Sequence, residues 1–487
     1  MSEVIICRGG QGSLAGSDPF TGAAIVVTCE LGATIVCTNG EKTYTKVAKS
    51  VAEVTFNVSY GTWSLTSSLN GKTKTKSVYV DALKVYSIKL KVLYSDLTLG
   101  FKLDMNNTDP NSGFTYTDDA VDMSPLACAS GSGICNYGSW DAEYFSDFLG
   151  IRPCIYKNGK VVCYLDPNNY ALDENGNNVN ISASMDGDVM IEFKKRWYRY
   201  YTDASGNLCF QVSDIDRSSD GFVTTAFLAE DGTGTGVNAF YYGAYEGYVN
   251  GDKLRSVSGV LPTNNKTYNT FISHASNTGS GYTIESFMKR MYINGLLMLV
   301  TKGRDSKRSI GNGINSRNSE SDRIISGTMN DRGLFYGRNN VNTVGCKVFG
   351  IENYWGNLWS FLSGLVTVNS SGLVGLKKCS PYGTSYDTSI SMPSFCSGFR
   401  SNNNLIPTKQ KEVLSGAAIL PSHLQDDSTI GWPEYFYVYS ASGLVAFCGG
   451  GWDYSGSDVG ASRCDVNDDP DSGYNGNSLG ARLVAAR

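Results

Sequence analysis

Between residues 24 and 90 the chain alternates apolar and polar side chains with period two, in pieces too short to be helices. Val54-Thr55-Phe56-Asn57-Val58 and Lys76-Ser77-Val78-Tyr79-Val80 show the pattern, and Val85-Tyr86-Ser87-Ile88-Lys89-Leu90 closes the series. Such a period puts every second side chain on one face of a strand. Residues 24–29 and 33–38 are apolar and rich in β-branched residues, which suit strands. Asn39-Gly40 and Asn70-Gly71 supply the pair that accepts positive φ in a two-residue hairpin. Strands at this spacing predict a β-sandwich of about seven strands, of the immunoglobulin-like kind, over residues 1–92. Lys72, Lys74 and Lys76 share one face, the pattern expected of a solvated edge strand. With no catalytic motif, this unit is expected to space or dock.

A chain of 487 residues exceeds one ordinary core. Residues 93–487 contain no linker, low-complexity tract or long charge run, so they are read as one large unit, mainly β with α+β character. Abundant glycine and tyrosine (55 and 30 residues) against 12 prolines favour strands and turns over bundles. Gly187-Asp188-Val189-Met190-Ile191-Glu192-Phe193 reads as a strand leading to Trp197-Tyr198-Arg199-Tyr200-Tyr201. Asn238-Ala239-Phe240-Tyr241-Tyr242-Gly243-Ala244-Tyr245-Glu246-Gly247-Tyr248 reads as a second aromatic strand with small residues between its rings, which are read as core or cross-strand packing rather than a sugar platform. Residues 283–302 carry Ile284, Phe287, Met288, Met291, Tyr292, Leu296, Met298 and Leu299 at a helical period after a Thr283 cap, with Gly295 as a packing contact.

A net charge of -5 gives no basic field for nucleic acid, and no apolar run is long enough to insert into a membrane. Residues 1–8 lack the basic and apolar regions of a signal peptide, so synthesis and folding in a cytoplasm are expected. The thirteen cysteines are odd in number and follow no module spacing, so most are expected to be reduced. Without CxxC, and with only His274 and His423, neither a zinc site nor histidine catalysis is predicted.

The C-terminal half holds the most specific motifs. Phe349-Gly350-Ile351-Glu352-Asn353-Tyr354-Trp355-Gly356-Asn357-Leu358-Trp359 places two tryptophans four apart, suited to anchoring a short helix or turn. Glu352, Asn353 and Asn357 would tie down nearby backbone. Gly449-Gly450-Gly451-Trp452 and Gly480-Ala481-Arg482-Leu483 follow. Together these motifs resemble the C-type-lectin-like domains of phage tail and retroelement-diversified variable proteins, whose fold is shared with the formylglycine-generating enzyme. Residues 187–192, 242–247 and 253–259 are similar to segments of tail-associated proteins of gut bacteriophages, and the N-terminal sandwich resembles their attachment modules.

The resemblance implies a receptor-binding protein of a phage tail fibre or tail tip, made in the bacterial cytoplasm and carried on the virion. Its ligand would be a bacterial cell-surface glycan or protein, met by a variable polar and aromatic face at about residues 447–487. The implied ligand-facing residues are Asp453, Tyr454, Ser457, Asp458, Ser462, Arg463, Asp465, Asp468, Asp469 and Tyr474, beside Trp452 of the scaffold. Tyrosine and small polar residues suit such adaptable recognition. Other tail proteins would meet the N-terminal unit, and a homotrimer would add avidity. The alternative is a structural virion decoration, on the tail or portal vertex, without receptor binding.

No enzyme, cofactor or metal is expected. Cys448 and Cys464 fall where the formylglycine-generating relatives place an active pair, but the glycines between read as a hairpin. A glycan depolymerase would need two carboxylates roughly 5–9 Å apart in a groove, which no motif marks. Asp465-Val466-Asn467-Asp468-Asp469-Pro470-Asp471-Ser472-Gly473 has alternating oxygen ligands but Pro470 and Gly476 where a calcium loop needs Gly and Glu. It is read as a solvated acidic loop.

Overall fold

The computed structural model describes residues 23–90, 96–107, 109, 111–230, 233–367, 374–376, 406–409, 412–414, 416–420, 423–425, 434, 436–438, 443–471 and 476–486. It is mainly β, with 39% strand against 13% helix. It divides into two compact units, Met1–Ser95 and Asp96–Arg487.

In the first unit the alternating runs become seven strands in two sheets. Glu53–Asn57, Ala24–Thr28 and Val85–Lys89 form one; Thr43–Val47, Thr34–Thr38, Gly61–Leu69 and Lys72–Val80 form the other. Ile25, Val27 and Phe56 of the first sheet share one apolar core with Ile35, Trp63 and Leu65 of the second. Asn70 adopts φ 51° and Gly71 φ 79°, the left-handed pair that closes the long hairpin. The lysine face departs from expectation. Lys74 and Lys76 are half-buried and share the inward stripe with Val78 and Val80, while Thr73, Thr75 and Ser77 point out. The side chain of Lys72 lies outside the described residues. Lys72–Val80 is an outermost strand, so these are charges pointing inward at a sheet margin.

The second unit contains a seven-stranded sheet ordered Asn169–Asp173, Lys160–Asp166, Ile151–Lys157, Asp188–Lys194, Ala239–Gly243, Leu483–Ala486 and Tyr282–Ile284. A four-stranded sheet joins Trp197–Thr202, Leu208–Ser213, Thr98–Leu103 and Phe114–Asp118. A third sheet runs Val374–Leu376, Trp359–Thr367, Val445–Cys448, Cys464–Asp468 and Phe436–Val438, with Leu479–Gly480 parallel to Trp359–Thr367. The aromatic strands face inward as their residues require: Tyr198, Tyr200, Phe240 and Tyr242 are buried.

The helix within residues 283–302 is shorter than its period predicts. Tyr282–Ile284 pairs with Leu483–Ala486 as a strand, and the helix spans Phe287–Thr301 after Ser286. Backbone pairing overrides local periodicity for the first turn. Gly295 is a packing contact: a Cβ there would strike the Tyr200 hydroxyl, and Phe210 at 2.6 Å. Among the described residues one disulfide, Cys128–Cys135, joins cross-strand partners of the hairpin Ala127–Cys128 and Cys135–Asn136, while most of the described cysteines are free, as expected. Cys29, Cys37, Cys154, Cys163, Cys209, Cys346, Cys448 and Cys464 are free.

Candidate functional site

Three C-terminal motifs meet around a buried polar centre. In residues 350–357, Gly350, Asn353, Gly356 and Asn357 all have positive φ, so Trp355 stands on a tight turn rather than a helix. Asn tolerates this backbone because its short amide compensates locally. Here both amides also serve the core: Asn353 Nδ2 and Asn357 Nδ2 donate to Glu246 Oε2 at 2.9 and 2.6 Å, and Leu358 N donates to Glu246 Oε1 at 3.0 Å. Glu352 accepts from Gly327 N and Met329 N, each at 2.8 Å. Trp355 Nε1 donates to Gly311 O at 2.9 Å, while Trp359 starts a strand and packs edge-on to Phe447.

The closing motif links two sheets. Leu479–Gly480 belongs to the third sheet and Leu483–Ala486 to the seven-stranded one. Arg482 lies between them, fully buried, and donates to the carbonyls of Gly243, Glu352 and Asn353 at 3.2, 2.9 and 2.9 Å. The glycine run has a comparable steric reason. Gly449 and Gly450 have φ of 92° and 83°, and a Cβ on Gly450 would lie 2.5 Å from Asp458 O.

The segment after the glycines is held from beneath. Trp452 is buried with Ile314 and Leu358, and its carbonyl accepts from Arg317 N at 2.8 Å. Tyr454 O accepts from Ser316 N at 2.6 Å, and the half-buried Tyr454 ring meets Trp359 edge-on at 5.1 Å. Arg463 is buried, paired with Asp465 at 2.7 Å and Asp458 at 3.2 Å, its guanidinium 5.3 Å from the Trp359 ring. Burial pushes the Asp465 carboxyl up to about 7, against the opposing pull of Arg463. Glu434 is likewise buried and pushed up to about 7, although it accepts from Ser306 Oγ at 2.7 Å and Ser462 N at 2.6 Å.

These positions correct part of the expected ligand face. Trp452, Arg463, Asp465 and Asp468 are interior side chains. Asp465 and Asp468 belong to the strand Cys464–Asp468, where Cys464, Asp465 and Val466 are buried in succession and both faces are therefore covered, so this part of the acidic stretch is not a solvated loop. Asp453 and Asp469 are exposed, and Tyr454, Asp458 and Ser462 are half-buried. Tyr474 and the Ser457 side chain lie outside the described residues. Exposed Ser455, Asn467, Asp471 and Asn477 extend the same surface. Asp471 is fixed by Asn269 Nδ2, and Asp469 Oδ1 caps Asp471 N at 2.9 Å. Among the described residues no group of three His, Cys, Asp or Glu could hold a metal ion.

Sequence reasoning missed Glu246, Glu285, Arg290 and Glu434, the buried charges of this region. Arg290 donates to Tyr354 O at 2.9 Å and Ala461 O at 3.1 Å, and pairs with Glu285 at 3.5 Å. A signal existed: Glu246 stands inside an aromatic and glycine run, and Arg290 shares the buried helical face with Phe287. No protein-family model and no curated protein matches this chain.

Proposed function

We propose that this chain is a receptor-binding protein of a bacteriophage tail fibre or tail tip, binding a bacterial surface glycan or protein without chemistry. In this reading the second unit is a C-type-lectin-like frame, and the immunoglobulin-like first unit docks to other tail proteins within a homotrimer. One observation carries it: the segment from Trp452 to Asp471 is anchored by interior side chains at 452, 463, 465 and 468, yet holds Asp453, Ser455, Asn467, Asp469 and Asp471 in solvent. A surface whose framework is fixed independently of its exposed residues suits recognition, because the exposed set can change without loss of fold. Avidity across copies would multiply weak contacts.

The test is adsorption interference on candidate host cells with purified full-length protein. Virion attachment should fall when the protein is added, and a variant carrying Asp453→Arg and Asp469→Arg should block at least about tenfold less well, since both residues are exposed. Absence of cell binding from a protein that is present in intact particles would overturn the reading in favour of a structural decoration.

A further inference from the structure

The second unit has a cavity of about 360 Å³ lined by Ser146, Asp147, Arg152, Lys194 and Arg196. Its wall is made by a sharp change of backbone. A single π-helical stretch, Tyr144–Leu149, stops at Gly150 in the left-handed region (φ 66°), and the strand Ile151–Lys157 begins at once. Gly150 is required there: a Cβ would lie 2.5 Å from Lys194 Cβ and 3.0 Å from an Arg196 nitrogen. Lys194 N donates to Gly150 O at 3.0 Å, so the lysine is held against this turn. Arg152 stands opposite Glu192 in the ladder.

The three cations of the lining are held in different ways. Arg196 closes the helical stretch by donating to Phe148 O, to Asp147 O at 3.0 Å and to Lys195 O at 2.8 Å. A guanidinium has five N–H donors, so two remain. Arg152 lies 3.4 Å from the centroid of the Tyr164 ring and pairs with Glu174, which fixes its plane while leaving further donors. Lys194 is exposed and makes no side-chain hydrogen bond or ion pair among the described residues. Glu174 neutralises Arg152, and the lining itself holds one carboxylate, Asp147, which accepts from Ser146 Oγ at 3.0 Å, so Lys194 and Arg196 leave an excess of one positive charge. A net positive recess is thus built into a chain of charge -5.

We propose that this recess binds a carboxylate-bearing sugar, with the guanidinium of Arg152 and the ammonium of Lys194 on the carboxylate and Asp147 and Ser146 on ring hydroxyls. Three features select that class. The volume suits a small ligand, and the lining is mostly polar, unlike the apolar walls of most drug-like sites. A planar guanidinium offers parallel donors that match a carboxylate. The carboxylate of Asp147 repels a bare anion but accepts from hydroxyls, which favours a sugar acid over inorganic phosphate. None of these residues belongs to the C-terminal segment, so this site stands or falls separately from the receptor face.

Titration calorimetry on the full chain at low ionic strength, with D-glucuronate, D-glucose and inorganic phosphate as probes, tests it. Saturable glucuronate binding is expected, with glucose and phosphate weaker by about tenfold or more. Lys194→Ala should raise the glucuronate Kd about tenfold with an unchanged unfolding midpoint, because Lys194 is exposed. Arg152→Ala should do the same, and if that variant fails to fold, Lys194→Ala decides alone. Absence of saturable glucuronate binding, an unaltered Kd in Lys194→Ala, or phosphate binding as tight as glucuronate would overturn the proposal.

Discussion

The two units solve the same problem with opposite materials. The N-terminal sandwich fills its core with Ile25, Val27, Ile35, Phe56, Trp63 and Leu65, side chains that ask only for volume. The second unit buries Glu246, Glu285, Arg290, Glu352, Arg463 and Arg482 beside its apolar clusters. Alternating strands satisfy their own backbone through the ladder, so an apolar core suffices for the sandwich. The turn at residues 350–357 has little ladder to use, and charged side chains take over the bonding of its amides and carbonyls. Irregular backbone at depth demands buried polarity, and that polarity makes the second unit far less tolerant of substitution.

The largest effect should come from Glu246→Leu. It leaves two side-chain amides and Leu358 N without their acceptor in a buried centre. A loss on the order of 5 kcal/mol is expected by chemical denaturation, against far less for a volume-conserving swap in the sandwich. A loss under about 1.5 kcal/mol would erase the contrast between the units. Next comes Gly295→Ala, which drives a methyl into Tyr200 and Phe210 and should cost about 1–3 kcal/mol by overpacking.

Acidity separates the units further. Burial pushes Glu246, Glu434 and Asp465 up to about 7, from ordinary values of 4.5, 4.5 and 3.8. Between those values and 7 the folded chain keeps protons that the unfolded chain has released. Stability contributed by the protonated groups is therefore complete at low pH and lost as pH rises toward 7, by up to about 1.4 kcal/mol per pH unit for each group. Denaturation midpoints measured from pH 5 to 7 should fall, and Asp465→Asn should flatten the slope. Hydrogen exchange should place the change in the second unit and leave the sandwich unaffected. Ile35→Leu in the sandwich should cost less than about 1.5 kcal/mol at every pH in that range.

The same contrast explains what the sequence revealed. The strands of the first unit were legible because period two is a local signal realised in the ladder, and Asn70-Gly71 forms the expected two-residue turn. Asn39-Gly40 instead lies in a four-residue connection between Thr38 and Thr43, with only Gly40 at positive φ. The glycines, asparagines and tryptophans of residues 350–359 were legible as structural, and their hydrogen bonds give the reason. The partners were not legible. Glu246 and Asn357 are 111 residues apart, and no local pattern announces that a carboxylate will serve a distant turn. Arg463, Asp465 and Asp468 were misplaced for a related reason: a charged stretch looks solvated until distant segments cover both faces of the strand it forms.

The smallest effect on stability, and the sharpest on behaviour, belongs to the lysines of the outer strand. Lys74 and Lys76 alternate with Val78 and Val80 on the inward stripe of Lys72–Val80. Long methylene stems cover apolar surface while the ammonium reaches water, so burial of the stem costs little. An outermost strand otherwise presents unpaired backbone groups to any second strand, and an inward charge opposes that pairing because a new strand would cover it. Lys76→Val should therefore change unfolding free energy by only about 0.5 kcal/mol, as a near-surface substitution does. It should raise self-association of the chain at high concentration, read by light scattering and abolished by Lys76→Arg. Unchanged scattering with a large stability loss would mean that Lys76 supports the sandwich core directly, and the apolar core would then share the second unit's dependence on charge.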